Sequence, residues 1–242
     1  MPIEIGISTT VGGIAGNTPG GTPVFSNTKS ILLDGFDDSI SLSNITIDNT
    51  SFTFSMWIKP INSISNDMLI QKQSTPRNAM FGLQSVSGSF CALVSYSNNS
   101  SSVKVQSNNI AKGDMLNNWS HVVIVRNGLD STFYLNGANI GGGTFASSQP
   151  STIDIDKIGF GFNNWYFQGN IDEVAIWNSQ LSQSDITSIY NNGVPNDISS
   201  LSPLSWWRCG DGDTAPTLTD NGSGGNDGTM QSFNTFSTDV PT

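Results

Sequence analysis

From Lys29 to Ser179 the chain repeats one pattern: short runs in which apolar and polar residues alternate, cut by turn residues at a spacing of about 8 to 12 residues. In the clearest run Phe52, Phe54, Met56 and Ile58 alternate with Thr53, Ser55 and Trp57. A period of two sends successive side chains to opposite faces of an extended backbone, so each run reads as a strand with one face toward a core. Many short strands of this kind are satisfied by two packed antiparallel sheets or a barrel. Asn127-Gly128 joins His121–Arg126 to Ser131–Leu135 as a hairpin, because both residues accept the positive φ of a tight turn. Asn136-Gly137 repeats the signal. One helix breaks the pattern. Ser182 is its N-cap, Asp185 stands three residues on, Ile186, Ile189 and Tyr190 share a face, and Gly193 and Pro195 end it. It is expected to be short and to lie on the surface.

Charged residues make up 12% of the 242, too few for a helical protein, and the acids are nearly all Asp. The net charge of −10 comes with no cluster of Lys or Arg, which argues against nucleic acid and anionic membranes as partners. No apolar run approaches the ~20 residues of a membrane helix, and MPIEIGISTT has no basic and apolar leader pattern. Residues 1–28 hold one alternating stretch, Ile3, Ile5 and Ile7, and then VGGIAGNTPGGTP, too rich in Gly and Pro to pack a core. They are expected to form an extended arm before a single sandwich over 29–242. Two cysteines, Cys91 and Cys209, are too few for a disulfide framework or a Cys-based zinc site.

Three stretches, ILLDGFDDSISL with SFTFSMWIKP, NNWSHVVIVRNGLDSTFYLNGANIG, and FQGNIDEVAIWNSQLSQSDITSIYNNG, resemble the laminin G-like modules of the concanavalin A-like lectin/glucanase superfamily. The resemblance implies an all-β jelly-roll sandwich of two antiparallel sheets with the helix near one edge. One departure stands out. The stretch SWWRCGDGDTAPTLTDNGSGGNDGTM, which in that family precedes the FDG-type strand, here follows the helix. The chain therefore looks circularly permuted, with residues 204–236 expected to complete the sandwich.

The turn Asp34-Gly35-Phe36-Asp37-Asp38 sets three carboxylates around a glycine. Hard oxygen ligands suit Ca²⁺, and the resemblance implies a structural Ca²⁺ held by Asp34, Asp37 and Asp172 of the IDE-type strand. The plainer alternative is that Asp34 and Asp37 cap a turn and Asp172 accepts backbone hydrogen bonds. A second acidic loop, Asp211, Asp213, Asp220 and Asp227, reads as a solvated turn, and His121, the one histidine, as structural. Glycoside hydrolysis needs two carboxyl groups flanking one bond. The superfamily's hydrolases carry them as E-x-D-x-x-E, whereas NIDEVAIW offers adjacent Asp172 and Glu173, which a regular strand points to opposite faces. No catalysis is expected. Tyr96, Asn163, Asn164, Trp165 and Tyr166 are candidates for stacking on and hydrogen bonding to sugars, while Trp57, Trp119, Trp177 and Trp206 are expected in the core.

Modules of this kind with a leading arm are like those of bacteriophage virion proteins. The expectation is a non-catalytic structural protein of a virion surface, a capsid decoration or tail-fibre component. Its arm would contact other virion proteins, its copies would form a homo-oligomer within the assembly, and host glycans would be its ligands. The alternative is an extracellular carbohydrate-binding lectin module.

Overall fold

A computed structural model describes residues 25–61, 66–73, 80–86, 89–98, 101–146, 150–161 and 165–242. The strands are numbered in chain order. The first sheet runs β1 (Ile31–Asp34), β15 (Gln168–Trp177), β3 (Ser51–Pro60), β9 (Ser120–Asn127), β10 (Asp130–Leu135), β11 (Ala138–Thr144), with β16 (Ser205–Trp207) also paired to β15. The second runs β17 (Thr217–Leu218), β18 (Gly228–Gln231), β2 (Ser39–Asp48), β12 (Thr152–Ile158), β4 (Asn66–Gln71), β5 (Met80–Val86), β6 (Ser89–Asn98), β7 (Ser101–Gln106), with β8 (Ile110–Ala111) on β6. A small hairpin joins β13 (Phe160–Gly161) to β14 (Trp165–Tyr166). Every named pairing is antiparallel, and the Asn127–Asp130 hairpin lies where Asn127-Gly128 placed it.

The inner faces meet in one core that includes Phe52, Phe54, Met56 and Ile58 of β3, Val122 and Ile124 of β9, and Ile153, Ile155 and Ile158 of β12. The alternate, polar set of β3 is buried as well: Thr53, Ser55 and Trp57 are each at most 2% exposed. A simple two-layer sandwich would leave that face in water. Here α2 (Gln183–Tyr190) covers it, resting Ile186 on Val123, Val125 and Tyr134, while Ile189 joins Ala175, Trp177, Ile198 and Trp206. The capping box between Ser182 and Asp185 forms as expected. Thr53 is satisfied beneath it, its hydroxyl donating to the Ser179 carbonyl at 2.9 Å and accepting from the Leu181 amide at 3.0 Å. His121 is structural: it is wholly buried, Nε2 lies 2.7 Å from Ser55 Oγ, and burial pushes its pKa down to about 3. A second short helix, α1 (Lys112–Met115), precedes β9.

The C-terminal segment enters both sheets. β1 covers the first half of β15, with Ile31 opposite Ile171, and β16 covers the second half, with Trp207 opposite Val174. β18 pairs with β2, Met230 facing Ile40. Ser237 and Ser30 exchange backbone hydrogen bonds of 2.8 and 3.0 Å, which closes the fold on itself. The acidic loop between these strands organises backbone. Asp220 accepts amides of Trp206, Gly222 and Asn226 at 2.7–2.8 Å, and Asp213 accepts those of Gly210 and Thr219. Cys91 and Cys209 are both buried and unpaired.

Candidate functional site

Four connections between the two sheets leave from one end of the sandwich: β1 to β2, β3 to β4, the α1 segment into β9, and β12 to β15 through the β13–β14 hairpin. Register fixes this. Asp34 lies opposite Gln168, Gly169 opposite Pro60, and Ile58 opposite Ser120, while Ile158 ends β12 opposite Ile40 near the start of β2. The side chains on these connections form the candidate site.

The β1–β2 turn is held from within. Asp34 Oδ1 accepts the amides of Phe36 at 2.7 Å and Asp37 at 3.2 Å, and Asp38 Oδ2 accepts the Asp34 amide at 3.0 Å. Gly35 sits at φ +79°, and a Cβ there would come within 2.6 Å of the Gln168 Cβ, so the turn lies flat on β15. The consequence is that Phe36 points outward, 79% exposed, more than any other large apolar residue among the described ones. Bonding from the Phe36 amide holds the Asp34 carboxyl below its ordinary pKa. Burial raises that of Asp38, and the charges of Asp34 and Asp37 add to the rise.

Asp34, Asp37 and Asp38 can each present an oxygen within 4.8 Å of the others. Asp172 does not join them. β15 places it four residues beyond Gln168, the partner of Asp34, which is about 13 Å along the strand. The structure thus brings Asp34 and Asp37 of the expected ligand set together with Asp38 and sets Asp172 apart from them. The turn's own three acids supply three side-chain oxygens, where Ca²⁺ takes six to eight ligands in all, so carbonyls and water would have to complete its shell.

Asp172 belongs to a second, internal cluster. β15 bulges between Asp172 and Ala175 and Glu173 takes φ +48°, so the alternation that would separate the two acids breaks down. Both are buried, 0% and 5% exposed. Asp172 accepts the Asn27 side-chain amide at 2.9 Å and the Glu173 amide at 2.8 Å. Glu173 accepts Trp206 Nε1 at 2.6 Å and pairs with Arg208 at 3.4 Å. Burial is the main cause that pushes Glu173 up to about pH 7, and burial with the Glu173 charge raises Asp172. Residues 25–29 strap this cluster. Phe25 stacks on Trp206 at 6.3 Å under the Arg208 guanidinium, Arg208 also donates to the Ser26 carbonyl, and Asp211 accepts the amide and hydroxyl of Thr28. Of the expected arm at 1–28, residues 25–28 belong to this strap, and residues 1–24 lie outside the described ones.

Of the other candidates, Trp165 and Tyr166 stand on β14 at this end, half-buried, with Tyr166 packed on Phe160 at 4.8 Å. Asn163 and Asn164 lie outside the described residues. Tyr96 is on β6, three strands across the sheet from β12, and its side chain lies outside the described ones; its backbone position separates it from the β14 aromatics. Trp57, Trp177 and Trp206 are buried as expected, and Trp119 is half-buried with Nε1 donating to Asp239 at 2.9 Å. The residue missed is Phe36. Its signal was present: an aromatic at the apex of a turn has no core to enter.

The family model of the concanavalin A-like lectin/glucanases superfamily matches residues 34–187, well over half the chain. The chain belongs to this superfamily. The match ends before β16, β17 and β18, although these strands complete both sheets of this superfamily member. Comparison with curated proteins returns no match. Among solved structures, the chain is similar to a candidate carbohydrate-binding protein from Bacteroides ovatus ATCC 8483, at 17% identity and a TM-score of 0.58, over 85% of this chain and 61% of that one. It is also similar to domain 4 of AbnA, a GH43 extracellular arabinanase from Geobacillus stearothermophilus, in complex with arabinotriose. There the identity is 19% and the TM-score 0.53, over 71% of this chain and 82% of that one. At these identities the likeness is one of fold. No helix among the described residues is long and apolar enough to cross a membrane.

Proposed function

We propose that this sandwich is a non-catalytic carbohydrate-binding module whose ligand end is the face built by the β1–β2 turn and the β13–β14 hairpin. The observation that carries the reading is Phe36, 79% exposed between the carboxylates of Asp34 and Asp37, at the end that also holds Trp165 and Tyr166. An aromatic ring offers a platform for the apolar face of a pyranose or furanose, and carboxylates accept hydroxyl hydrogen bonds at its edge. The two fold neighbours, a candidate carbohydrate-binding protein and an arabinanase domain in complex with arabinotriose, agree with this reading. Against catalysis stands the burial of the adjacent Asp172 and Glu173 beneath the strap, away from that end. The test is a glycan array followed by calorimetry on the best binder. Phe36→Ala is expected to weaken binding at least about tenfold, roughly 1.4 kcal/mol. It should leave the melting temperature within a degree or two, since the ring is exposed. Equal affinity in the variant would overturn the assignment.

The setting we propose is a particle surface such as that of a virion, in a homo-oligomer, with an extracellular lectin as the alternative. Support comes from the strap at 25–29, bonded to Asp172 and Asp211 and stacked on Trp206, which would give an arm's contacts a firm attachment to the sandwich. For the Asp34–Asp37–Asp38 turn we propose weak Ca²⁺ binding. Millimolar Ca²⁺ is expected to raise the melting temperature over that in EDTA, and Asp37→Asn to remove the gain; a gain of the same size in the variant would sink the site.

A further inference from the structure

We infer that the ligand end takes uncharged saccharides and turns away acidic ones, those bearing sialic acid, uronic acid or sulfate. This rests on the carbohydrate-binding reading above. The charged residues of the Phe36 turn itself, Asp34, Asp37 and Asp38, are of one sign. Asp34 and the four connections at this end together carry Asp34, Asp37, Asp38 and Asp114 against the single cation Lys112. Of the lysines on the strands that lead to this end, Lys59 pairs with Asp239 and Lys72 with Asp154, each at 2.6 Å, and Lys157 donates to Ser41 Oγ at 2.6 Å. The whole chain adds to the field, with a net charge of −10.

Chemistry sharpens the electrostatics. Ionised carboxylates only accept hydrogen bonds. A neutral sugar seated on the Phe36 ring has hydroxyls to donate to Asp34 and Asp37. A carboxylate or sulfate on the ligand has no proton to give and brings like charge within a Debye length, about 10 Å at 0.1 M salt, of several aspartates. The expected discrimination is therefore of order tenfold at low salt and shrinks as salt rises.

The experiment uses matched glycan pairs, lactose with sialyllactose and galactotriose with trigalacturonic acid, together with arrayed neutral glycans and their sulfated forms. Binding to the full chain is measured in EDTA, so that no divalent ion neutralises the turn, at 20 mM and 500 mM NaCl. The neutral member of each binding pair is expected to bind at least about tenfold tighter at low salt, with a smaller ratio at high salt. Asp37→Asn should narrow that ratio. An acidic member that binds as tightly as its neutral partner at low salt, while Phe36→Ala weakens both, overturns the selectivity and leaves the binding end standing. Failure of every glycan to bind, or binding indifferent to Phe36→Ala, overturns the carbohydrate reading and the selectivity with it.

Discussion

Replacing Trp207 with alanine is expected to destabilise the protein by about 3–5 kcal/mol, a large share of the ~5–15 kcal/mol that holds a typical domain together. The indole is 0% exposed in the main core, and its Nε1 donates to the Asn226 carbonyl at 2.8 Å, tying β16 to the loop that leads into β18. Truncation leaves a cavity where the two sheets meet and an orphaned carbonyl beside it. Trp207→Phe keeps most of the bulk and loses the hydrogen bond, so a cost nearer ~1–2 kcal/mol is expected. Urea unfolding followed by circular dichroism measures both. A loss below ~1 kcal/mol for the alanine variant would mean that the C-terminal segment is not part of the cooperative fold.

The second large effect is a pH dependence centred on Glu173. Its pKa is raised from 4.5 to about 7 in the folded chain. Between those values the folded protein keeps a proton that the unfolded chain has released, so stability falls as pH rises through that window. Asp172, raised for the same main reason, acts in the same direction. His121 acts the other way: lowered from 6.5 to about 3, it adds stability as pH rises from about 3 to 6.5. The wild-type profile therefore mixes opposing slopes, and the informative quantity is a difference. Glu173→Gln keeps an oxygen for Trp206 Nε1 and has no proton to lose. Relative to wild type it is expected to gain a few kcal/mol between pH 4.5 and 7.5. Its loss of the Arg208 pair shifts the offset of that difference at high pH, not the presence of a slope. Parallel stability profiles for the two proteins would show that Glu173 does not titrate in this window.

Several features were legible because they are local. The alternation over Phe52–Ile58 and the Asn127-Gly128 turn each depend on backbone preferences within a few residues, and so does the Ser182–Asp185 cap. The superfamily-like motifs placed the FDG-type turn, and its three aspartates lie together because neighbours in a five-residue turn have nowhere else to be. That Asp172 stands apart from this turn was not legible, because its distance from Asp34 is set by the register of β1 on β15, which no local signal encodes. The assignment of Asp172 and Glu173 to opposite faces failed because a bulge, with Glu173 in the left-handed region, replaces regular pleating at that point.

By itself, then, the sequence determined that the chain is strands punctuated by turns, with one capped helix and a turn of three aspartates, since period, turn chemistry and capping act over a few residues. Tertiary structure alone decided that the polar face of β3 is buried under that helix and which strand of each sheet the C-terminal segment pairs with. It also decided that four distant connections leave from one end, the end at which Phe36 is exposed. Those outcomes depend on which strands pair and in which register, and pairing is chosen by the burial of a whole core rather than by any one segment.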